Sequence, residues 1–312
     1  MTHRELVGSS LTAFERTGRG HAADTRCAAA YPDGLTRVGA DEPRSEQTVT
    51  EPSRDIRTDV PGAARIWNYW LGGKDNYEAD RLAAEAALQY YDMATFARQS
   101  RQFLNRVVRF LAGEAGIRQF LDIGTGLPTM QNTHEIAQSI APESRIVYVD
   151  NDPIVLAHAR VLLRNTTPEG VTDYVEADYH DPDLIIERAR TILDFEQPIA
   201  VMFMGVLGHA RGFEESHAIV ARVVDAVPSG SYLAVWDGND TNAALNALAE
   251  NYAKSGGVPY IQQPIEHIRG YFSGLEMVEP GLVSVTEWRP EPTEVGTVQP
   301  LPETTGGVAR KP

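Results

Sequence analysis

QFLDIGTGLP, residues Gln119–Pro128, is the stretch on which the reading of the fold turns. Its first five residues form a short apolar run that predicts a buried strand. Gly124 and Gly126 then let the backbone turn sharply and come close to a ligand. A helix is expected next, over Gln131–Ile140. The same alternation continues downstream. Strands are predicted at Arg145–Val149, Thr172–Glu176, Ile199–Met204 and Ser231–Trp236. Helices are predicted at Pro153–Arg164, Asp183–Leu193, Phe213–Ala226, Thr241–Ser255 and Ile265–Tyr271. Strands that alternate with helices imply parallel crossover units with helices on both faces.

Two further strands are predicted at Leu275–Val278 and Leu282–Trp288. Only Glu279-Pro280-Gly281 separates them, so they must run antiparallel. Upstream, Ala63–Leu71, Tyr77–Tyr90 and Ala94–Ala115 read as helices, the first broken by Gly72-Gly73. The expected class is therefore α/β: a doubly wound, Rossmann-like, seven-stranded, mostly parallel sheet with an antiparallel terminal hairpin and a helical N-terminal extension. Residues 1–52 are polar, show neither helical nor strand period, and read as a flexible tail. Residues 53–116 form the helical extension, a cap, and 117–289 the sheet domain. Residues 290–312, rich in Pro, Glu, Thr and Gly, read as a flexible C-terminal end.

Composition narrows the function. Of 312 residues, 42% are hydrophobic and 23% charged, and the formal net charge is −15. A strongly acidic chain repels phosphate backbones, which argues against a nucleic-acid partner or an anionic membrane surface. Cys27 is the single cysteine, so an intrachain disulfide and a cysteine-rich zinc site are excluded. The longest apolar run is too short for the ~20 residues of a spanning helix. The protein is expected to be cytoplasmic and to take a small molecule; its oligomeric state stays open.

In open α/β sheets ligands bind at the carboxyl ends of the strands, near the point where strand order reverses. The residues that follow each predicted strand are therefore the candidates. The first loop offers Asp122, Gly124, Thr125 and Gly126. Asp150 after the second strand can accept two hydrogen bonds from ribose hydroxyls. Asp152 is read as the cap of the next helix. Asp178 after the third strand can take the amino hydrogens of an adenine, whereas Asp181 or Asp183 caps a helix. Gly205, Val206 and His209 follow the fourth strand, and His209 is the candidate general base. The run Asp237-Gly238-Asn239-Asp240 after the fifth could line the site or cap the next helix, and capping is preferred. No metal site is expected.

A nicotinamide dinucleotide wants a third glycine where this chain has Thr129. S-adenosylmethionine carries no phosphate; it needs a glycine loop for its amino-acid end, an acid for its ribose and an acid or amide for its adenine. All three occur in that order.

These residues resemble those of class I S-adenosylmethionine-dependent methyltransferases. More narrowly, ARIWNYWLGGKDNYEADR (Ala64–Arg81), FLDIGTGLPTMQNTHEIAQ (Phe120–Gln138) and GLEMVEPGLVSVTEWRP (Gly274–Pro290) resemble a family typical of actinomycetes, the S-adenosyl methyltransferases, long catalogued as a domain of unknown function. The likeness covers about Ser53 to Arg289. It implies S-adenosylmethionine as cofactor, with Gly124, Thr125 and Gly126 at its methionine portion and Asp150 at the ribose. It places Asn151, Asp178 and Tyr179 around the adenine, and Gly205 and Val206 beneath the sulfonium. Tyr69, Lys74, Asp75 and Tyr77 are expected to form a cap over cofactor and acceptor. The resemblance does not supply a substrate; the expected function is in-line methyl transfer to a small-molecule acceptor. The alternatives are a non-catalytic S-adenosylmethionine-binding or sensor protein, and an NAD-dependent dehydrogenase.

Overall fold

The computed structural model describes residues 56–312, apart from 129–130, 163, 293 and 297. The expected tail at 1–52 lies outside the described residues. Seven strands form one sheet in the order β3-β2-β1-β4-β5-β7-β6. They are β1 (Gln119–Ile123), β2 (Arg145–Asp150), β3 (Val171–Glu176), β4 (Ala200–Met204), β5 (Tyr232–Gly238), β6 (Glu276–Met277) and β7 (Thr304–Arg310). The first five pair in parallel, and β7 runs antiparallel to both its neighbours.

Successive side chains of a strand point to opposite faces, so a sheet covered on both sides needs continuous apolar strands. That is the pattern of β4, AVMFM. Leu121, Ile123, Val147, Val149, Val201, Phe203, Leu233 and Val235 build one core with α6 (Pro182–Ala189), α7 (Phe213–Ala226) and α9 (Ile265–Gly270). Phe120, Ile146, Met202, Ala234 and Trp236 build the other with α3 (Met93–Arg109), α4 (Thr133–Ile140) and α8 (Ala243–Lys254). α5 (Pro153–Leu162) follows β2. A π-helical turn, Phe110–Glu114, ends α3 early relative to the sequence reading.

The terminal hairpin needs correction. The second strand of the pair is not Leu282–Trp288 but Thr304–Arg310, inside the segment read as a flexible end. Along 282–288 only Val283 bridges the sheet, to Gly306. Arg106 on α3 explains why. Its guanidinium donates to the carbonyls of Val285 (2.6 Å) and Trp288 (2.9 Å) and pairs with Glu294 at 3.1 Å. Those carbonyls are satisfied by a side chain rather than a strand neighbour, and Trp288 is wholly buried against Phe103 and Phe110. The domain therefore extends beyond 289. β7 evades sequence reading because its centre is Gly306-Gly307, and glycine weakens a strand pattern. Here the missing side chains matter: a Cβ on Gly306 would stand 2.8 Å from Trp236 Cβ.

Two helices precede the sheet layers, α1 (Ala63–Trp70) and α2 (Glu78–Leu88). A buried ion pair joins them, Arg65 Nε to Asp80 at 2.8 Å. Asp80 also accepts from the amides of Gly62 and Tyr77, both at 2.8 Å, and so fixes the first residues of both helices. Arg65 donates to the carbonyls of Val60 (2.6 Å) and Arg57 (3.1 Å). Removing one member of such a pair strands the other charge in the interior. Asp80→Ala is expected to cost about 3–5 kcal/mol in denaturant unfolding. Glu291→Ala, which breaks the exposed Arg109–Glu291 pair, is expected to cost less than about 1 kcal/mol. Equal losses would refute the assignment of the clamp.

Candidate active site

Between β1 and β4 the strand order reverses, and the loops beyond their carboxyl ends part to leave a crevice. A cavity of about 380 Å³ opens there, within the usual range for small-molecule sites. Its floor depends on two glycines with left-handed backbones, Gly124 (φ 75°) and Gly205 (φ 76°). A Cβ on Gly124 would stand 2.5 Å from Val206, and one on Gly205 would stand 2.5 Å from the Trp236 ring. Neither position tolerates a side chain.

All ten residues expected to hold the cofactor line this cavity: Asp122, Gly124, Thr125, Gly126, Asp150, Asn151, Asp178, Tyr179, Gly205 and Val206. Asp150 accepts from the amides of Gly126 (2.7 Å) and Asp152 (3.0 Å). Burial pushes its carboxyl up to about 6. Four lone pairs on a carboxylate leave room for further hydroxyl donors. Asp178 accepts from Asn151 at 2.9 Å and from His180 Nδ1 at 2.7 Å. Asp122 accepts from Thr133 at 2.7 Å, and burial raises it to about 6 as well. Asp152 caps α5, accepting from Ile154 at 2.9 Å, and Asp181 caps α6, accepting from Leu184 at 3.1 Å.

His209 also lines the cavity. Its Nδ1 lies 2.8 Å from the carbonyl of Pro259. A carbonyl can only accept, so Nδ1 carries the proton and Nε2 keeps a lone pair. Burial holds the imidazole below its ordinary pKa, and it is neutral at physiological pH.

The expected cap is corrected. Tyr69, Lys74, Asp75 and Tyr77 do not line the cavity. Tyr69 donates its hydroxyl to Glu85 at 3.0 Å, Asp75 faces His158 at 3.2 Å, and Tyr77 caps α2. The reason is helical phase. Ala63, Ala64, Trp67, Asn68 and Leu71 share the face of α1 that lines the cavity, and Tyr69 falls on another side. The glycine bend wraps Asn68, whose Oδ1 accepts from the Asp75 amide and from Asn76, both at 3.0 Å. A Cβ on Gly73 would collide with it at 2.3 Å.

Sequence reading also missed Ser100 and Arg101. Both line the cavity from α3, and Ser100 Oγ and Arg101 Nε are buried without a partner. Nothing in a helical stripe distinguishes them from ordinary polar positions. His180, in the loop after β3, lines the cavity as well.

Asp237 is not a helix cap; Asn242 caps α8. Asp237 lies wholly buried, accepts from the Tyr260 hydroxyl and from Gly238 N (3.0 Å), and anchors the loop that carries Pro259. Tyr260 packs edge-on to His209 with ring centroids 5.1 Å apart.

A parallel sheet in this order, with an antiparallel penultimate strand, a glycine loop after β1 and acids after β2 and β3, has the construction of S-adenosylmethionine-dependent methyltransferases. Comparison with known proteins agrees. The family model described as S-adenosyl methyltransferase matches residues 49–312. A DUF574-family protein of Streptomyces avermitilis MA-4680 is 43% identical, with a TM-score of 0.78 over 83% of this chain and all (100%) of that one. A candidate methyltransferase of Thermobifida fusca YX is 39% identical, with a TM-score of 0.75 over 84% of this chain and 99% of that one. No curated protein matches. The chain belongs to the S-adenosyl methyltransferase family and is an S-adenosylmethionine-dependent methyltransferase. That membership decides against both the dehydrogenase and the non-catalytic alternatives. Among the described residues, no helix is long and apolar enough to cross a membrane.

Burial raises Asp237 to about 8, far above the ordinary 3.8 of an aspartate. The folded state thus prefers the protonated acid. Its contribution to stability is whole below about 3.8 and is lost as pH rises toward about 8. Relative to Asp237→Asn, the wild type is expected to lose up to about 1.4 kcal/mol per pH unit across that window. A stability difference that does not change with pH would contradict this.

Proposed function

We propose that the protein methylates a small-molecule acceptor, with His209 as general base and the loops after β1, β2 and β3 holding the cofactor. One observation carries the reading. A single cavity has the Asp150 carboxylate on one wall and the neutral His209, its tautomer set by Pro259, on another. The residues present fit S-adenosylmethionine. The Gly124–Gly126 loop makes a cradle that side chains would fill, and the cavity walls carry unpartnered Ser100 Oγ and Arg101 Nε.

In this assignment Asp150 accepts the ribose hydroxyls, and Asp178, with Asn151 and Tyr179, borders the adenine. The glycine loop takes the methionine portion. Gly205 and Val206 keep the floor of the cavity flat near the reacting end. When bound, S-adenosylmethionine supplies a methyl group on a sulfonium, whose carbon–sulfur bond breaks with its electron pair going to sulfur as the acceptor bonds to carbon. The protein positions the acceptor and excludes water. His209 Nε2 takes the acceptor's proton. Helix α1 roofs the cavity through Trp67 and Leu71 in place of the expected cap residues.

Calorimetric titration with S-adenosylmethionine, S-adenosylhomocysteine and NAD tests this. Binding of the first two is expected, with no heat from NAD and at least about a tenfold loss in Asp150→Ala. His209→Gln is expected to keep S-adenosylhomocysteine affinity while turnover of an acceptor hydroxyl falls about 10²–10⁴-fold. Unchanged affinity in Asp150→Ala, or unchanged turnover in His209→Gln, would overturn the respective role.

A further inference from the structure

The cavity is electrically divided. Its carboxylates, Asp122, Asp150, Asp152 and Asp178, all come from the carboxyl ends of β1 and β2 and the loops after β2 and β3. Its one guanidinium, Arg101, is turned to the same side, donating to the Gln131 carbonyl and to Asn132 Oδ1, both at 3.1 Å. The ends of β4 and β5, the segment after β4, helix α1 and Val258 contribute no carboxylate, ammonium or guanidinium to the lining. They contribute Trp67, Leu71, Met204, Trp236, Val258 and His209.

Trp67 is half-buried and turns part of its indole to the cavity, whereas Trp236 is almost wholly buried and backs it. Trp67 and Trp236 meet at 5.9 Å between centroids, tilted by 60°. The Trp236 ring lies against Gly205, at the floor of the cavity. Val258 is 61% exposed and offers an apolar edge. Asp237 does not break the pattern, because it is fully buried and held by Tyr260.

We propose that the acceptor is an uncharged, flat aromatic molecule bearing a hydroxyl, which lies against Trp67 and presents its O–H to His209. The proposal rests on the reading above, in which the cofactor occupies the acidic half. A charged acceptor entering the neutral half would leave water without a counter-ion, and an unpaired buried charge is costly. A flat aromatic ring gains contact area on the Trp67 indole, and a ring pair adds about 0.5–1.5 kcal/mol beyond area alone. The hydroxyl supplies a hydrogen bond that Nε2 of His209 can accept. Transfer then balances simply. The O–H proton passes to His209 as oxygen bonds to the methyl carbon, and the products are an aryl methyl ether, neutral S-adenosylhomocysteine and imidazolium, which returns its proton to water.

Calorimetric titration of the S-adenosylhomocysteine-loaded protein with three matched probes tests this: 1-naphthol, 1-naphthoate and 1-naphthylmethylammonium. 1-Naphthol is expected to bind at least about tenfold more tightly than either ion. Trp67→Leu is expected to weaken 1-naphthol several-fold. Val258→Asp is expected to leave S-adenosylhomocysteine binding unchanged and to raise the affinity of the ammonium above that of the naphthoate. Ions that bind as tightly as 1-naphthol would overturn the proposal, as would 1-naphthol affinity unaltered by both substitutions. Absence of 1-naphthol binding to a complex that has formed would do the same. Failure of S-adenosylhomocysteine to bind is a different result, and it removes the cofactor assignment beneath the proposal.

Discussion

The approach of the β1 loop to the β4 loop governs the rest of the site. Gly124 faces Val206 with no room for a Cβ, and Gly205 faces Trp236 in the same way. Both glycines have left-handed backbones that other residues adopt only with strain. The sheet makes β1 and β4 neighbours although they are distant in sequence, and the helices after them leave on opposite faces of the sheet, α4 and α7. A crevice at that point is a consequence of topology. The two glycines decide that its floor is backbone rather than side chain.

A second set of polar contacts holds the roof. Asp80 binds Arg65 and the amides at the starts of α1 and α2, while Asn68 gathers the Gly72–Asn76 bend beneath it. The most distinctive stretch of the N-terminal extension is therefore spent on geometry. It sets the phase of α1, and phase brings Trp67 and Leu71 to the cavity while turning Tyr69 away. On the far side, Asp237 and Tyr260 secure the loop whose Pro259 carbonyl fixes the His209 tautomer. The residues that would act on ligands are few, and most buried polar groups around them serve to place backbone.

Legibility in the sequence followed the range of the interactions. β1 and α7 have the bounds that apolar pattern predicts, because burial on both faces writes itself directly into the chain. The residues after each parallel strand were legible for the same reason: a strand's end fixes where its loop begins. Longer-range effects were not. Arg106 prevents 282–288 from becoming a strand, through contacts with a helix almost two hundred positions earlier. Gly306-Gly307 forms a central part of β7 because Trp236 and Phe103 crowd Gly306 and Met277 crowds Gly307, and no local signal carries that requirement. The orientation of α1, which brings Trp67 to the cavity and turns Tyr69 away, is likewise held by the contacts of Asp80 with Arg65 and Gly62 rather than by propensity.

The central claim is that the cofactor lies across the β1–β4 crevice with its ribose on Asp150 and its adenine beside Asp178. A crystal structure of the complex with S-adenosylhomocysteine tests it most directly. The account predicts both ribose hydroxyls within hydrogen-bonding distance of the Asp150 carboxylate and the sulfur on the side of Trp236 and His209. A ligand bound with its ribose away from Asp150, or outside this cavity, would contradict it.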